Sequence, residues 1–324
     1  MKRILSLDGG GIKGAFSISF LASLEEQAGK PIATFFDLIV GTSTGGIIAL
    51  ALGLGFTAKE TMEFYTSLGP KIFPKDGWKG KIRQIFSERF DPLPLREALE
   101  AKFGSRLLGD AKSRLVIPSF NMDTGEVHLY KTPHHPALKM DWRRSAVDVA
   151  MDTAGAPTYF PMPVSSMGIP FVDGGVWANN PVGVAAVEAF GVLGWARGDV
   201  RILSVGTTGT PFDVRPKNGR RMGLLYWGLK GRFVETFMAG QSSGALGTAK
   251  LLCGSGAVVR HDPIVPKDRY SLEGVDEAGS LTGLGYSEAR KAFKDLSPVF
   301  FSEAAPAYVP DDVAMGRTPK VARS

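Results

Sequence analysis

Two short apolar runs near the N-terminus each lead into a glycine-rich turn and out into a helical pattern. Ile4–Leu7 is closed off by Asp8 and by Gly9, Gly10 and Gly11, and reads as a buried strand. The helix that follows spans Ala15–Gln27, with Phe16, Phe20, Leu21 and Leu24 on one side, and Gly29-Lys30-Pro31 breaks it. Leu38-Ile39-Val40 is the second strand and Gly46–Leu54 the second helix. Strand, turn and helix, repeated in that order, predict a parallel sheet covered by helices.

The same pattern settles a decoy. From Leu38 to Ala58 there are 21 positions without a charge, long enough to span a bilayer. Gly41-Thr42-Ser43-Thr44-Gly45-Gly46 lies inside that stretch, so strand, sharp turn and buried helix explain it better, and a soluble protein is expected. The apolar start is cut too short by Asp8 to act as a signal peptide. With 44% hydrophobic and 22% charged residues the chain can bury a sizeable core, which excludes a disordered segment. The single cysteine, Cys253, allows no internal disulfide and no cysteine-based zinc cluster, and it fits a reducing compartment. A net charge of +6 carries no RNA-binding signature, zinc-finger spacing or long basic block, so no nucleic-acid polymer is expected as partner. The local group Lys71, Lys75, Lys79, Lys81 and Arg83 reads as a solvated loop.

Further along, Arg114–Met122 and Glu126–Thr132 flank Asp123-Thr124-Gly125 as a hairpin. Phe171-Val172 and Ile202–Val205 are strands, Val182–Phe190 a helix, and Gly223–Leu252 a glycine-interrupted helical stretch. Residues 56–94, with Trp78 and short helical pieces, read as a cap-like insertion. No linker divides the elements, so 1–310 is taken as one catalytic domain, its 206–310 part the least defined. Residues 311–324 read as a flexible basic tail.

Three stretches carry candidate chemistry. Gly41-Thr42-Ser43-Thr44-Gly45 fits the nucleophile-elbow pattern, with a strand before it and a helix after. The flanking glycines Gly41 and Gly45 let neighbouring elements approach, and the helix N-terminus favours developing negative charge near Ser43. Asp8-Gly9-Gly10-Gly11-Ile12-Lys13-Gly14 contains Gly9-x-Gly11-x-x-Gly14, so a dinucleotide site must be weighed. That site wants an acidic residue near the end of the second strand, whereas Asp37 precedes it. An oxyanion hole is the other reading: consecutive glycines let backbone N–H groups converge on one oxygen, with Lys13 adding positive charge. A nucleophilic serine needs a base, and the chain has four histidines, His128, His134, His135 and His261. Only His261 stands late enough for a Ser–Asp–His order, in what reads as a surface turn. Asp173, at the end of a short apolar strand and followed by Gly174 and Gly175, is the other candidate. Asn179-Asn180-Pro181 then either caps the next helix or orients the aspartate.

Together these stretches resemble the patatin-like phospholipase family. Asp8–Gly14 resembles its oxyanion motif, Gly41–Gly46 its elbow, and Asp173-Gly174-Gly175 its Asp-Gly box. Ala156-Pro157-Thr158-Tyr159-Phe160 is similar to a segment preceding that box. The resemblance runs from Arg3 to about Val205 and weakens beyond. It implies a three-layer α/β/α fold with a mainly parallel central sheet and the elbow after a central strand. It also implies a lipid acyl hydrolase with a Ser43–Asp173 dyad, no histidine, no cofactor and no metal. Gly9, Gly10, Gly11, Lys13 and Gly14 form the oxyanion loop in this reading, with the N–H groups of Gly10 and Gly11 holding the oxyanion and Lys13 close by, and the substrate is a membrane phospholipid at a bilayer surface. Short bacterial members include antiphage effectors that a cyclic dinucleotide switches on to degrade the cell's own membrane, which for this chain implies a cytoplasmic place with peripheral association with the inner membrane and leaves an oligomer open. Segments 56–94 and 223–252 would then gate Ser43. Two alternatives remain: a soluble-ester hydrolase with a Ser43–Asp–His261 triad, and a non-enzymatic nucleotide-binding module.

Overall fold

The computed structural model describes residues 1–72, 90–164, 168–213, 227, 232–267 and 269–318. Seven strands form one sheet in the order β4-β3-β2-β1-β6-β7, with β5 on a second site of β3. The central strand β1 (Lys2–Leu7) runs parallel to β2 (Leu38–Gly41), with Leu7 opposite Gly41. On its other side it runs parallel to β6 (Val200–Val205), with Leu7 opposite Val205, and β7 (Val258–His261) follows parallel to β6. Both glycine turns therefore leave neighbouring strands at the same level, at the carboxyl edge where α/β sheets place their sites.

The strand β3 (Arg114–Asn121) pairs with β2 only over Arg114–Val116. The short β5 (Phe171–Asp173) takes over that side of β3, antiparallel, with Asp173 opposite Ser119. Asp173 is thereby carried past the end of β2, to the turn that holds Ser43. β4 (Glu126–Lys131) completes the expected hairpin through Gly125, whose φ of +68° suits a turn that glycine adopts freely.

Side chains alternate across the sheet. Leu5, Leu7, Ile39, Leu115, Ile117 and Leu203 enter one core, while Ile4, Leu38, Val40, Val116 and Ile202 enter the other. The first core is covered by α1 (Gly14–Ala28), α2 (Thr44–Gly53), α3 (Ala58–Ile72), α4 (Leu93–Phe103) and α5 (Ala146–Ala154). After the single turn α6 (Gly175–Ala178), α7 (Val182–Val187) and α8 (Arg232–Cys253) cover the second. The last helix, α9 (Ala278–Leu296), returns to the first face and packs on α1. The three-layer α/β/α expectation holds.

The uncharged stretch from Leu38 is β2, the elbow and α2. Among the described residues no helix is long and apolar enough to cross a membrane. Three readings shift. Within 56–94, α3 is a 15-residue helix with Ala58, Thr61, Tyr65 and Leu68 buried, not a set of short pieces. The rest of that insertion, 73–89, and the start of the 223–252 stretch fall outside the described residues, Trp227 apart. The helix from Val182 changes at Glu188 into a π turn, Glu188–Val192. The supposed tail is docked over 311–318. Asp311 donates its N–H to the Pro133 carbonyl (2.7 Å), Ala314 is buried, and the Ala314 carbonyl accepts the Trp142 indole N–H (3.3 Å).

Candidate active site

Ser43 occupies the turn between β2 and α2 with φ +55° and ψ −124°. A side-chain-bearing residue seldom adopts this conformation, and the surroundings must hold it there. The Ser43 N–H donates to Thr153 Oγ1 (3.0 Å), whose hydroxyl donates to the Pro118 carbonyl (2.6 Å). The Thr42 hydroxyl donates to the Ala178 carbonyl (2.6 Å). Gly45 is required by packing: a Cβ there would run into the carbonyl oxygens of Leu7 and Asp8, while one at Gly41 would meet the Gly45 carbonyl. The turn is thus locked from three elements, and α2 begins directly after Ser43.

The Ser43 hydroxyl donates to Asp173 Oδ2 at 2.6 Å, a contact between residues 130 positions apart. The other carboxylate oxygen accepts the Gly175 N–H (2.6 Å), and Gly174 lies against the Pro118 carbonyl. Asp173 is 5% exposed. Burial pushes its pKa up to about 6, against the opposing pull of the hydrogen bonds from Ser43 and Gly175. An ordinary aspartate near 3.8 is a weak base for a hydroxyl; one near 6 is much better matched to neutral pH.

The glycine loop lies against this pair, since a Cβ on Gly9 would come within 3.1 Å of the Ser43 Cβ. Its N–H groups divide into two sets. Gly9 donates to the Asn179 carbonyl (2.9 Å), Ile12 to Leu272 (2.9 Å) and Lys13 to Gly10 (3.1 Å), while Gly14 turns back on Gly11 and Ile12. Gly10 and Gly11 have no acceptor among the described residues, and Gly11 holds φ +55° beside the Leu272 carbonyl. Among the described residues the two N–H groups expected to hold the oxyanion, those of Gly10 and Gly11, are thus the ones left open, while those of Gly9 and Gly14 are already used. Lys13 also serves elsewhere. Its ammonium donates to the Thr208 carbonyl (2.9 Å), and burial lowers its pKa.

Several supports were not visible as motifs. Arg260, on β7, grips Asp8 through two bonds of 2.8 and 2.6 Å, and also reaches Ser204 Oγ (2.8 Å) and Asp262 (2.9 Å). Burial raises the Asp8 carboxyl while the guanidinium opposes it. Gln241 on α8 accepts the Asn179 N–H and donates to the Gly175 carbonyl (3.2 Å). Of the two roles foreseen for this pair, Asn180 takes the helix cap, while Asn179 holds the glycine loop and not the aspartate. The Asn179 amide donates to the Gly9 carbonyl (3.2 Å), and Asn180 Oδ1 accepts the Val182 N–H (3.2 Å).

His261 is not in a surface turn. It ends β7 with its ring stacked on Phe20 at 4.3 Å and its Nε2 3.7 Å from Glu288, while the hydroxyl of Ser43 is already turned to Asp173. His134 is buried against Glu188 (2.9 Å), and His128 lies 4.3 Å from the Tyr130 ring. The dinucleotide reading also loses its ribose ligand. β2 ends in Gly41, and Asp37 accepts the Arg3 N–H (2.9 Å) and the Lys2 ammonium (3.0 Å).

The family model for patatin-like phospholipases matches residues 5–186. A Pseudomonas aeruginosa protein named cGAMP-activated phospholipase is 32% identical over 92% of this chain and 90% of its own length. A Vibrio cholerae protein of the same name is 35% identical over 73% of each chain. A rice patatin-like protein 2 is 29% identical over 71% of this chain and 67% of its own. The crystal structure of VipD from Legionella pneumophila superposes with a TM-score of 0.50 at 16% identity, covering 91% of this chain and 67% of that one, a likeness of fold alone. The glycine loop, the elbow and the Asp-Gly-Gly turn all fall within the matched residues, and the chain belongs to the patatin-like phospholipase family of hydrolases acting on lipid esters.

Proposed function

We propose that this chain hydrolyses acyl esters of membrane phospholipids through Ser43 and Asp173, and that a cyclic dinucleotide switches it on. The observation that carries the reaction is the 2.6 Å hydrogen bond from a strained, half-buried serine to a buried carboxylate. Ser43 Oγ attacks the ester carbonyl carbon as its proton passes to Asp173 Oδ2. The carbonyl oxygen becomes an oxyanion and takes hydrogen bonds from the N–H groups of Gly10 and Gly11. Collapse of the tetrahedral intermediate breaks the ester C–O bond, and Asp173 returns the proton to the leaving alcohol of the lysolipid. Water, deprotonated by Asp173, then releases the fatty acid and restores Ser43.

The switch is carried by the relatives named cGAMP-activated phospholipases, one of which spans 92% of this chain. We read the chain as a cytoplasmic effector that attacks the membrane on such a signal, as in antiphage defence, a reading which that likeness supports. Fatty-acid release from phosphatidylglycerol/phosphatidylethanolamine vesicles tests both parts, with wild type, Ser43→Ala and Asp173→Ala each measured with and without a panel of cyclic dinucleotides. Release by wild type that needs one nucleotide and vanishes in both variants supports the reading. Release that persists in Ser43→Ala overturns the mechanism, and release indifferent to every nucleotide overturns the switch.

A further inference from the structure

The segment Ala156-Pro157-Thr158-Tyr159-Phe160 stands out in the sequence and takes no part in the chemistry above. Thr158 holds φ +72°, a strained value for a β-branched residue. The N–H groups of Tyr159 and Phe160 both donate to the Ala156 carbonyl, and the Tyr159 carbonyl accepts the Phe90 N–H (2.8 Å). A loop held this firmly has a shape to keep.

Its last residue, Phe160, and the following residues to Val164 form one wall of a cavity of about 220 Å³, completed by the first turn of α4 and the end of α5. Leu95, Met151 and Phe160 line it and are buried, whereas Leu93, Met162 and Val164 line it and are 57, 44 and 61% exposed. Among the described residues Arg96 is the one charged group in the lining, and Asp148 engages its guanidinium at 3.2 Å. The cavity adjoins the dyad through its backbone. Ala154 and Gly155 line it, directly after Thr153, whose hydroxyl holds the Ser43 N–H. The Gly155 carbonyl in turn accepts the Asp173 N–H (3.0 Å).

We infer that this cavity receives one fatty acyl chain of the substrate, and that Met151, Phe160 and Met162 set the chain length preferred; the inference rests on Ser43 being the acyl-transfer nucleophile. Among the described lining residues the one guanidinium, Arg96, is already engaged by Asp148 and the rest are apolar or glycine, so a phosphate headgroup would lose its hydration there with little compensation. The volume falls below the roughly 300–1,000 Å³ of sites that hold a whole drug-sized ligand, so it suits one chain end, not a complete lipid. The exposed apolar rim gives a chain drawn from a bilayer a continuous apolar path. Each methylene buried is worth about fourfold in affinity, which makes the length of the cavity a selectivity filter.

The test uses the full chain with Met151→Trp, which fills the cavity, Met162→Trp, which blocks its rim, and Leu251→Trp on the exposed face of α8 as control. Two quantities are read. One is the ratio of kcat/KM for p-nitrophenyl decanoate to that for the butyrate. The other is the affinity of the Ser43→Ala protein, with and without each tryptophan, for decanoate. Both cavity variants are expected to lower the ratio and the affinity at least tenfold, and Leu251→Trp to change neither. Where Met151→Trp melts early, Met162→Trp decides, because its side chain already stands partly in solvent. An unchanged ratio and unchanged affinity in natively melting variants overturn the inference. With the cyclic dinucleotide panel present throughout, decanoate binding that depends on Met151 and Met162 in a chain inert toward both esters with every nucleotide upholds the cavity and instead overturns Ser43 as nucleophile.

Discussion

Residues 1–54 and residues 200–318 contribute to the site in opposite ways. The first stretch supplies the nucleophile and the two unpaired N–H donors from two neighbouring turns. Among its described residues the second supplies no reacting atom, yet it holds those turns: Arg260 grips Asp8, the Leu272 carbonyl receives the Ile12 N–H, and Thr208 anchors the Lys13 ammonium. Gln241 clamps the Asp-Gly-Gly turn from the second helical layer. A reactive turn combines strain with unsatisfied donors, neither of which is stable alone. Local sequence can encode the turn; the force that keeps it must come from elsewhere in the chain.

Four substitutions and conditions break or sharpen this contrast. The largest effect belongs to the reacting pair. Ser43→Ala and Asp173→Asn should each lower kcat by about 10⁴-fold or more in steady-state ester hydrolysis. Asp173→Asn should nevertheless melt no lower than wild type near neutral pH, because it removes a buried charge. Next comes the second stretch. Arg260→Ala leaves Asp8 buried without its partner, a loss of about 3–5 kcal/mol in urea unfolding. Arg260→Lys keeps the charge without the two-pronged grip and should fall between. If Arg260→Ala unfolds like wild type, the support role assigned to the later region is wrong.

The pH dependence is smaller and equally specific. The base must be ionised, so kcat/KM should fall about tenfold per unit below about 6 and level off above it. Stability runs the other way. Folded Asp173 holds its proton up to about 6 and the free side chain only to about 3.8, so its contribution is full below 3.8 and is lost as pH rises through 6. A rate profile flat down to pH 5 would remove Asp173 as base. The mildest change is Gln241→Ala, which deletes bonds worth about 0.5–1.5 kcal/mol each and should slow turnover several-fold with little change in KM.

The first stretch was largely legible in the sequence. The strands from Ile4 and Leu38, their helices and both glycine turns appear where apolar runs and glycines place them, and Asp173 emerges from its own short strand and glycine pair. The remaining histidines offered a decoy, because nothing local shows that His261 stacks on Phe20 at the end of β7. The grip of Arg260 on Asp8 spans 252 positions and leaves no local pattern. The acceptors that take up the N–H groups on either side of Gly10 and Gly11 were also hidden, since the Asn179 and Leu272 carbonyls arrive from distant segments. The length of α3 was missed for a different reason: lysines, glycine and proline at its end obscured a buried stripe through Ala58, Tyr65 and Leu68.

The decisive measurement is the rate of Ser43 modification by an alkyl fluorophosphonate, mapped by mass spectrometry in wild type, Asp173→Asn and His261→Ala. Labelling confined to Ser43, rising with pH through about 6, lost in Asp173→Asn and unaltered in His261→Ala, is the expected result. Labelling that persists at the wild-type rate in Asp173→Asn, or that collapses in His261→Ala, would contradict a serine driven by aspartate alone.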